Sequence, residues 1–302
     1  MTNMQTAGTQ LFGKTIAAMI LLCAWTTASP AQTSFGRPDE RGAGAKGYVY
    51  WTNNADGSVG RATTAGTKAN EKFIKPQNTI TGAGLTVDKN YIYWTSANGG
   101  TSTTIARANL DGSKVNYDFI TGAENPCGVA VNSSYIYWAG DVGSSIGRAN
   151  LDGSDVNQDF ITTGTGVCGV AVTKQYIYWA NYLTGQIGRA KLDGTDVNDD
   201  FISGCGSGVA VEGKYIYFTA ASGTAIGRAD IDGTDVNTNF IPSLNGEVAF
   251  LAADRNYIYW ADWDGDAGQT IGRANIDGSK INLKFIKGAN GPFGVAVTGG
   301  DP

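Results

Sequence analysis

Two kinds of short apolar segment alternate along the chain from residue 47 onwards. One kind, such as Gly128-Val129-Ala130-Val131, is apolar throughout and is typical of a buried strand. The other, such as Tyr135-Ile136-Tyr137-Trp138, directs its tyrosines to one face and its Ile and Trp to the other. Because both faces of this second segment are apolar, we predict a strand covered by sheets on both sides.

Two further strands follow each such pair. In the same unit, Ile146-Gly147-Arg148-Ala149 precedes an Asp152-Gly153 pair, which is a strong hairpin signal, and Phe160-Ile161 marks the last short strand. Gly147 and Ala149 give the third strand a small face. We expect the aromatic side chains of one unit to fill the small face of a neighbouring unit.

The four-strand unit occurs six times. Its first tyrosines lie at positions 48, 91, 135, 176, 215 and 257, so the repeat is 39 to 44 residues long. Units that cannot each bury a core must stack into one body, and radial packing of four-stranded sheets is a β-propeller. We predict an all-β, six-bladed propeller over residues 47–302. The chain begins with a second strand and ends with a first strand, so the C-terminal strand should complete the first blade.

The N-terminus has the pattern of a secretory signal. Lys14 precedes an apolar run from Ile16 to Trp25, and Ser29-Pro30-Ala31 offers small residues for cleavage. A membrane anchor is the alternative, but the run is short for a bilayer. We predict a signal peptide over residues 1–31, a loose arm over 32–46 and a secreted protein, extracellular or periplasmic, without membrane insertion.

The charge balance disfavours polyanionic partners. Of 22 basic residues one, Lys14, lies in the predicted signal, so 21 basic and 27 acidic residues would remain, a net charge of −6. Such a balance argues against nucleic acid and anionic membrane surfaces.

The repeat resembles the YWTD repeats of lipoprotein-receptor and nidogen propellers. Tyr137-Trp138 with Ile146, Arg148 and the Asp152-Gly153 pair carries the likeness, as do its counterparts over residues 47–298. Only Tyr259-Trp260-Ala261-Asp262 keeps the final Asp of the signature. The resemblance implies a six-bladed binding scaffold, in many cases for proteins, that uses one face of the disc.

Histidine is absent, which excludes catalytic triads with His, His bases and His metal ligands. The repeated arginines could form an anion-binding ring, but a residue present in every blade more readily meets a structural need. We expect each arginine to pair with a carboxylate of its own blade, for example Asp159 or Asp200. We likewise assign the repeated aromatic residues to packing between blades.

Function is expected where the copies differ. The connections between second and third strands differ strongly, and so do the links into the first strands, such as 122–127 and 242–247. In a propeller these loops share one face around the channel, which we call the variable face. Its candidate ligand-binding residues are Glu124, Asp141, Tyr182, Glu247 and Trp263.

The acidic loop of the last repeat is a candidate calcium site. Asp262, Asp264 and Asp266 alternate with spacers, as calcium ligands in a turn do. Ala267 and Arg273 stand where an EF-hand needs Gly and Glu, so a solvated acidic turn is the alternative. No other cofactor is predicted.

Three cysteines follow the predicted signal. Cys127 and Cys168 each lie eight residues before their blade's first tyrosine, and Cys205 lies ten before its own. A Cys127–Cys168 disulfide, three buried free thiols, and a thiolate trio that holds a soft metal all remain open.

These features favour a secreted, non-enzymatic propeller that binds a protein or a surface glycan through its variable face. The alternative is a metal-dependent enzyme of the lactonase or lyase kind, with Glu124, Asn125 and Glu247 around a metal at the channel mouth. Matching acids at the first-strand positions of several blades are not evident, which favours the binding protein. A third hypothesis is that the protein is a purely structural component of an envelope or matrix.

Overall fold

The computed structural model describes residues 47–75, 81–97, 103–141, 144–244, 246–263 and 269–298. The predicted signal peptide and arm lie outside these residues. Within them, all regular elements are β-strands, which form six four-stranded antiparallel sheets. Among the same residues, no helix has the length and apolar character needed to cross a bilayer.

The six sheets are the blades of the predicted propeller. Blade 1 has the strand order β24 (Pro292–Val297), β1 (Tyr48–Asn53), β2 (Val59–Thr63) and β3 (Asn70–Ile74). Blade 2 comprises β4 (Thr81–Val87), β5 (Tyr91–Ala97), β6 (Thr104–Asn109) and β7 (Asn116–Thr121). Blade 3 comprises β8 (Pro126–Val131), β9 (Tyr135–Gly140), β10 (Ser145–Asn150) and β11 (Asn157–Thr162).

The remaining blades repeat this order. Blade 4 comprises β12 (Val167–Val172), β13 (Tyr176–Asn181), β14 (Gln186–Lys191) and β15 (Asn198–Ser203). Blade 5 comprises β16 (Cys205–Glu212), β17 (Tyr215–Ala220), β18 (Ile226–Asp230) and β19 (Asn237–Ile241). Blade 6 comprises β20 (Val248–Ala253), β21 (Tyr257–Asp262), β22 (Thr270–Asn275) and β23 (Asn282–Lys287). The first strand of each blade is its inner strand and the last is its edge strand.

The ring closes as predicted. Each inner strand contacts the inner strands of both neighbouring blades, from β24 through β4, β8, β12, β16 and β20 back to β24. The C-terminal strand β24 pairs antiparallel with β1, so that Val295 lies opposite Trp51. The Tyr48 backbone N–H also donates to Thr298 Oγ1 at 2.7 Å. The two ends of the described chain therefore share one sheet, and the prediction of closure is confirmed.

The tryptophans pack differently from the prediction. Trp138 lies opposite Gly147 of its own blade, and a Cβ on that glycine would collide with the indole. The glycine is therefore required by the cross-strand partner. The same blade face then meets the preceding blade, where Trp138 joins a cluster with Tyr93 and Ile105. The expectation that an aromatic side chain fills the small face of a neighbour is therefore wrong for Trp138, which covers a glycine of its own blade because the large and small residues share one face. It holds for Tyr93, which lies in one cluster with Ala149 of the next blade.

Four of the repeated arginines form hydrogen bonds to the neighbouring blade. The Arg148 guanidinium lies 4.4 Å from the centre of the Tyr135 ring and 3.8 Å from that of Phe160. Its Nη1 donates to the Leu192 carbonyl of the next blade at 3.4 Å. Equivalent bonds run from Arg61 to Leu110, from Arg107 to Leu151 and from Arg273 to Thr64. A planar guanidinium can stack on rings while its edge donates, so rings and a carbonyl take the place of the expected carboxylate.

Candidate functional site

Three predicted residues occupy the same position in three blades. Asp141, Tyr182 and Trp263 each follow directly after the second strand of a blade. Their backbone N–H groups donate to the link that enters the inner strand of the same blade: to Asn125 O at 3.3 Å, to Gly166 O at 3.0 Å and to Glu247 O at 3.1 Å. This shared bond holds all three residues at one level, where the second strand meets the channel mouth.

Below this level, one side chain from each inner strand lines the channel. In each inner strand, one residue pairs with the Trp or Phe that recurs in the second strand, and the channel-lining residue lies two positions before it. The six channel-lining residues are Ala83, Cys127, Cys168, Ser207, Ala249 and Phe293. All of these except Ser207 form one buried cluster with Phe250. Tyr182 and Trp263 pack against this cluster from above. We call these eight clustered residues, Tyr182 and Trp263 included, the mouth cluster.

The blade 6 and blade 1 side of the mouth cluster is aromatic. The Phe250 and Phe293 ring centroids lie 5.4 Å apart, and Trp263 meets Phe293 edge-on at 5.8 Å. Trp263 remains half-buried. Such tilted and edge-on pairs are favourable and hold each ring in a fixed orientation. This side therefore presents the partly exposed Trp263 ring, which the buried Phe250 and Phe293 rings hold in place.

The blade 3 and blade 4 side is polar and covalently linked. A disulfide joins Cys127 to Cys168, whose Cα atoms lie 4.9 Å apart, and so connects β8 to β12. Cys205 is a buried free thiol that packs with Ala180 and Phe218. Burial raises the pKa of Cys205 to about 12. The structure thus contains one disulfide and one protonated thiol, an arrangement that differs from a thiolate trio.

Asp141 and Tyr182 meet across the same blade boundary. The Tyr182 hydroxyl donates to Asp141 Oδ1 at 2.9 Å, and Asn125 Nδ2 donates to Oδ2 at 3.2 Å. Asp141 is 8% exposed. Burial raises the pKa of the Asp141 carboxyl, although both hydrogen bonds act in the opposite direction. Burial and the nearby Asp141 charge raise the pKa of Tyr182 as well.

The acidic candidates are divided between the two sides of the mouth. Glu124 is exposed on the link of blade 3, whereas Glu247 is half-buried on the link of blade 6. Asp262 ends β21 with its carboxylate beside Gly246. Asp264 and Asp266 lie outside the described residues. The described part of the chain brings no three acidic or cysteine residues together as metal ligands, and the calcium site stays a prediction.

Phe250 and Phe293 are the members of the site that the sequence reasoning missed. A signal for Phe250 exists, because the equivalent position is glycine in the other five blades: Gly84, Gly128, Gly169, Gly208 and Gly294. A Cβ on Gly128 would collide with the Cys168 carbonyl of the next inner strand. Glycine is thus needed where inner strands approach closely, and the blade that departs from it supplies a ring to the mouth.

Comparisons with known proteins support the fold. No family model matches the chain, and no curated protein matches it. Among the 624 solved chains that match, one belongs to a crystal structure of a nidogen/laminin complex. That match is 18% identical, covers 83% of this chain and 98% of the other, and has a TM-score of 0.66. The likeness shows a six-bladed propeller of the architecture that the YWTD resemblance implied.

Proposed function

We propose that this protein is a secreted, non-enzymatic binding protein that engages a partner through the mouth cluster and the loops around it. The observation that carries the proposal is that Tyr182 and Trp263 pack against one buried apolar cluster, while Asp141 accepts a hydrogen bond from the Tyr182 hydroxyl. These residues come from three blades and from loops that differ between repeats. A rigid scaffold that presents individual residues on one face is suited to recognition.

A protein is the partner that we favour over a surface glycan. The solved neighbour comes from a complex of two proteins, as its title states. Aromatic residues at the centre of a site, with polar groups around them, are also the usual composition of a protein interface core. The partly exposed Trp263 and Tyr182 rings, with the exposed Glu124 on the link of blade 3, provide such a combination.

The channel lining supports a binding protein over a metal-dependent enzyme. Its six residues are Ala83, Cys127, Cys168, Ser207, Ala249 and Phe293, none of which is a carboxylate. Hard divalent cations prefer oxygen ligands, and carboxylates above all. Lactone hydrolysis that depends on added calcium and is lost in Glu124→Gln and Glu247→Gln would instead support the enzyme.

Site-directed photo-crosslinking tests the proposal. A photo-reactive residue in place of Leu183, which is 37% exposed beside Tyr182, should capture a discrete protein from the surface of the source cells. The matched control carries the same probe at Lys174, in a hairpin on the opposite face. The proposal is supported if the probe at 183 captures a protein and if the substitutions Tyr182→Ala and Trp263→Ala abolish this capture. Equal capture at 174, or capture that ignores both variants, contradicts it.

A further inference from the structure

The charges on the outer wall of the disc are separated into two opposite sectors. Each blade ends in a twelve-residue segment that contains the outer turn and the edge strand. In blade 6 this segment, 276–287, carries three lysines, Lys280, Lys284 and Lys287, and one acid. In blade 1 the segment 64–75 also carries three lysines, Lys68, Lys72 and Lys75, and one acid. We call these six lysines the basic sector.

The corresponding segments of blades 3 and 4 carry only acids. They are Asp152, Asp155 and Asp159 in blade 3, and Asp193, Asp196, Asp199 and Asp200 in blade 4. We call these seven residues the acidic sector. All of them are exposed, as are the six lysines. Because the inner strands follow one another around a closed ring, blade 3 lies opposite blade 6 and blade 4 lies opposite blade 1.

The two sectors are charge-reversed versions of the same edge. Lys280 and Lys284 precede Phe285 by five residues and one, and Asp155 and Asp159 precede Phe160 by the same intervals. If the edge strand of blade 6 in one copy lies beside the edge strand of blade 3 in another, with their midpoints aligned, the lysines lie opposite the aspartates. This holds for parallel and for antiparallel strands. Some of these charges already have partners in their own chain, since Lys72 lies 3.2 Å from Asp56 and Lys191 lies 2.5 Å from Asp196. The lysines of blade 6 therefore contribute most to the complementarity.

Backbone and apolar groups add to this surface. The edge strands β23, β11 and β15 are each the last strand of their sheet. Beside them, Ile281 is 42%, Val156 is 42% and Val197 is 45% exposed. Charged edges normally prevent strand addition, because like charges meet when identical edges approach. Here the same repulsion separates two basic sectors or two acidic sectors. The only attractive combination is a basic sector against an acidic sector.

We propose that copies of this protein associate head to tail, with the basic sector of one copy against the acidic sector of the next. A two-fold dimer would bring each sector against itself, so the interface is heterologous. Since the sectors lie on opposite sides of the disc, the association continues as an open chain and leaves the mouth cluster accessible. The net charge of −5 repels copies in every orientation, and only the contact between opposite sectors offsets this repulsion.

Sedimentation velocity of the full chain, over a concentration series at low and high salt, tests the proposal. We expect larger species to grow with concentration at about 0.01 M salt, where the Debye length is about 30 Å, and to disperse at about 1 M, where it is about 3 Å. A protein that stays single at the highest concentration and lowest salt, or stops at a closed dimer, overturns the proposal.

Charge reversal makes the test specific. The variant Lys280→Glu, Lys284→Glu, Lys287→Glu should associate at least about tenfold more weakly, and Asp155→Lys, Asp159→Lys, Asp200→Lys should do the same. Their mixture should associate again, because the reversed, acidic edge of blade 6 in one variant then meets the new lysines on the edges of blades 3 and 4 in the other. The matched control reverses Lys89, Lys174 and Lys214 in the hairpins away from the edges and should associate like the parent.

Three results would contradict the proposal. They are unchanged association of the reversed variants, a mixture that stays single although circular dichroism shows both variants folded, and loss of association in the hairpin control. Heparin binding by the basic sector without any self-association would assign that sector to a polyanion instead, and would equally overturn it.

Discussion

Large aromatic residues occur both in the interior of the blades and at the mouth of the channel, but they have different roles in the two regions. Trp138 is 1% exposed, lies over a glycine of its own blade and has a counterpart in most blades. Trp263 is half-buried, stands on a loop and occupies a position that is Asp141 in blade 3 and Tyr182 in blade 4. A residue that recurs serves the scaffold, whereas a residue that varies at a fixed position is available for recognition.

The same substitution in the two regions should therefore have very different costs. Trp138→Ala should lower the free energy of unfolding by about 3–5 kcal/mol, because it empties a fully packed site. Trp263→Ala should cost only about 1–2 kcal/mol, because part of its ring is already in water. Urea unfolding of both variants measures the difference. Equal costs would remove the distinction between scaffold and mouth.

The disulfide is the one strong structural link within the mouth. Replacing both Cys127 and Cys168 by serine should lower the free energy of unfolding by about 2–4 kcal/mol, because the unfolded chain loses a cross-link over 41 residues. Adding reductant to the parent should reproduce the loss. The control Cys205→Ser should respond to reductant as the parent does. A parent whose urea midpoint ignores reductant would show that the link contributes little.

The repeated arginines provide a smaller test of the scaffold. Arg148→Lys keeps the charge but loses the stacking between Tyr135 and Phe160 and the fixed bond to Leu192, and should cost about 1–2 kcal/mol. Lys174→Arg, on an exposed hairpin, is the control and should be neutral within about 0.5 kcal/mol. If Arg148→Lys proves as neutral as the control, the arginine does not hold the blades together.

The buried carboxyl should give the smallest effect, visible as a pH dependence. The folded-state pKa of Asp141 lies above its ordinary value of 3.8, so the folded protein binds this proton more tightly than the unfolded chain. Its contribution to stability is therefore greatest at low pH and falls as pH rises from 3.8 through the raised pKa. In Asp141→Asn this fall should be absent, so the difference in the free energy of unfolding between variant and parent should change over this pH range. A difference that does not change with pH would contradict the assignment.

The repeat made the fold predictable, but not how its residues meet. Six copies of one pattern, with a first strand left over at the C-terminus, leave few arrangements other than a closed ring. The partners of Arg148 and Trp138 were wrongly predicted, because sequence does not show which rings flank a guanidinium or which strand faces an indole.

The site was predictable only in part. Asp141, Tyr182 and Trp263 stand out because they differ at an equivalent position, which comparison of the copies reveals. The contact between Asp141 and Tyr182 depends on the distance between neighbouring blades, which a single sequence does not contain. Phe250 could have been found as the exception in a ring of glycines. The calcium site at Asp262 remains a prediction, as do secretion and the signal peptide.

The central claim is that shared residues build the scaffold and the mouth cluster binds. The most direct test uses two variants of this protein, the double variant Tyr182→Ala, Trp263→Ala and the single variant Arg148→Lys. For each variant it measures the melting temperature and the affinity for the partner protein captured at position 183. The account predicts that the mouth variant loses at least about tenfold in affinity and remains folded at assay temperature, while Arg148→Lys melts earlier and binds normally when folded. Normal binding by the mouth variant, together with loss of binding in folded Arg148→Lys, would contradict it.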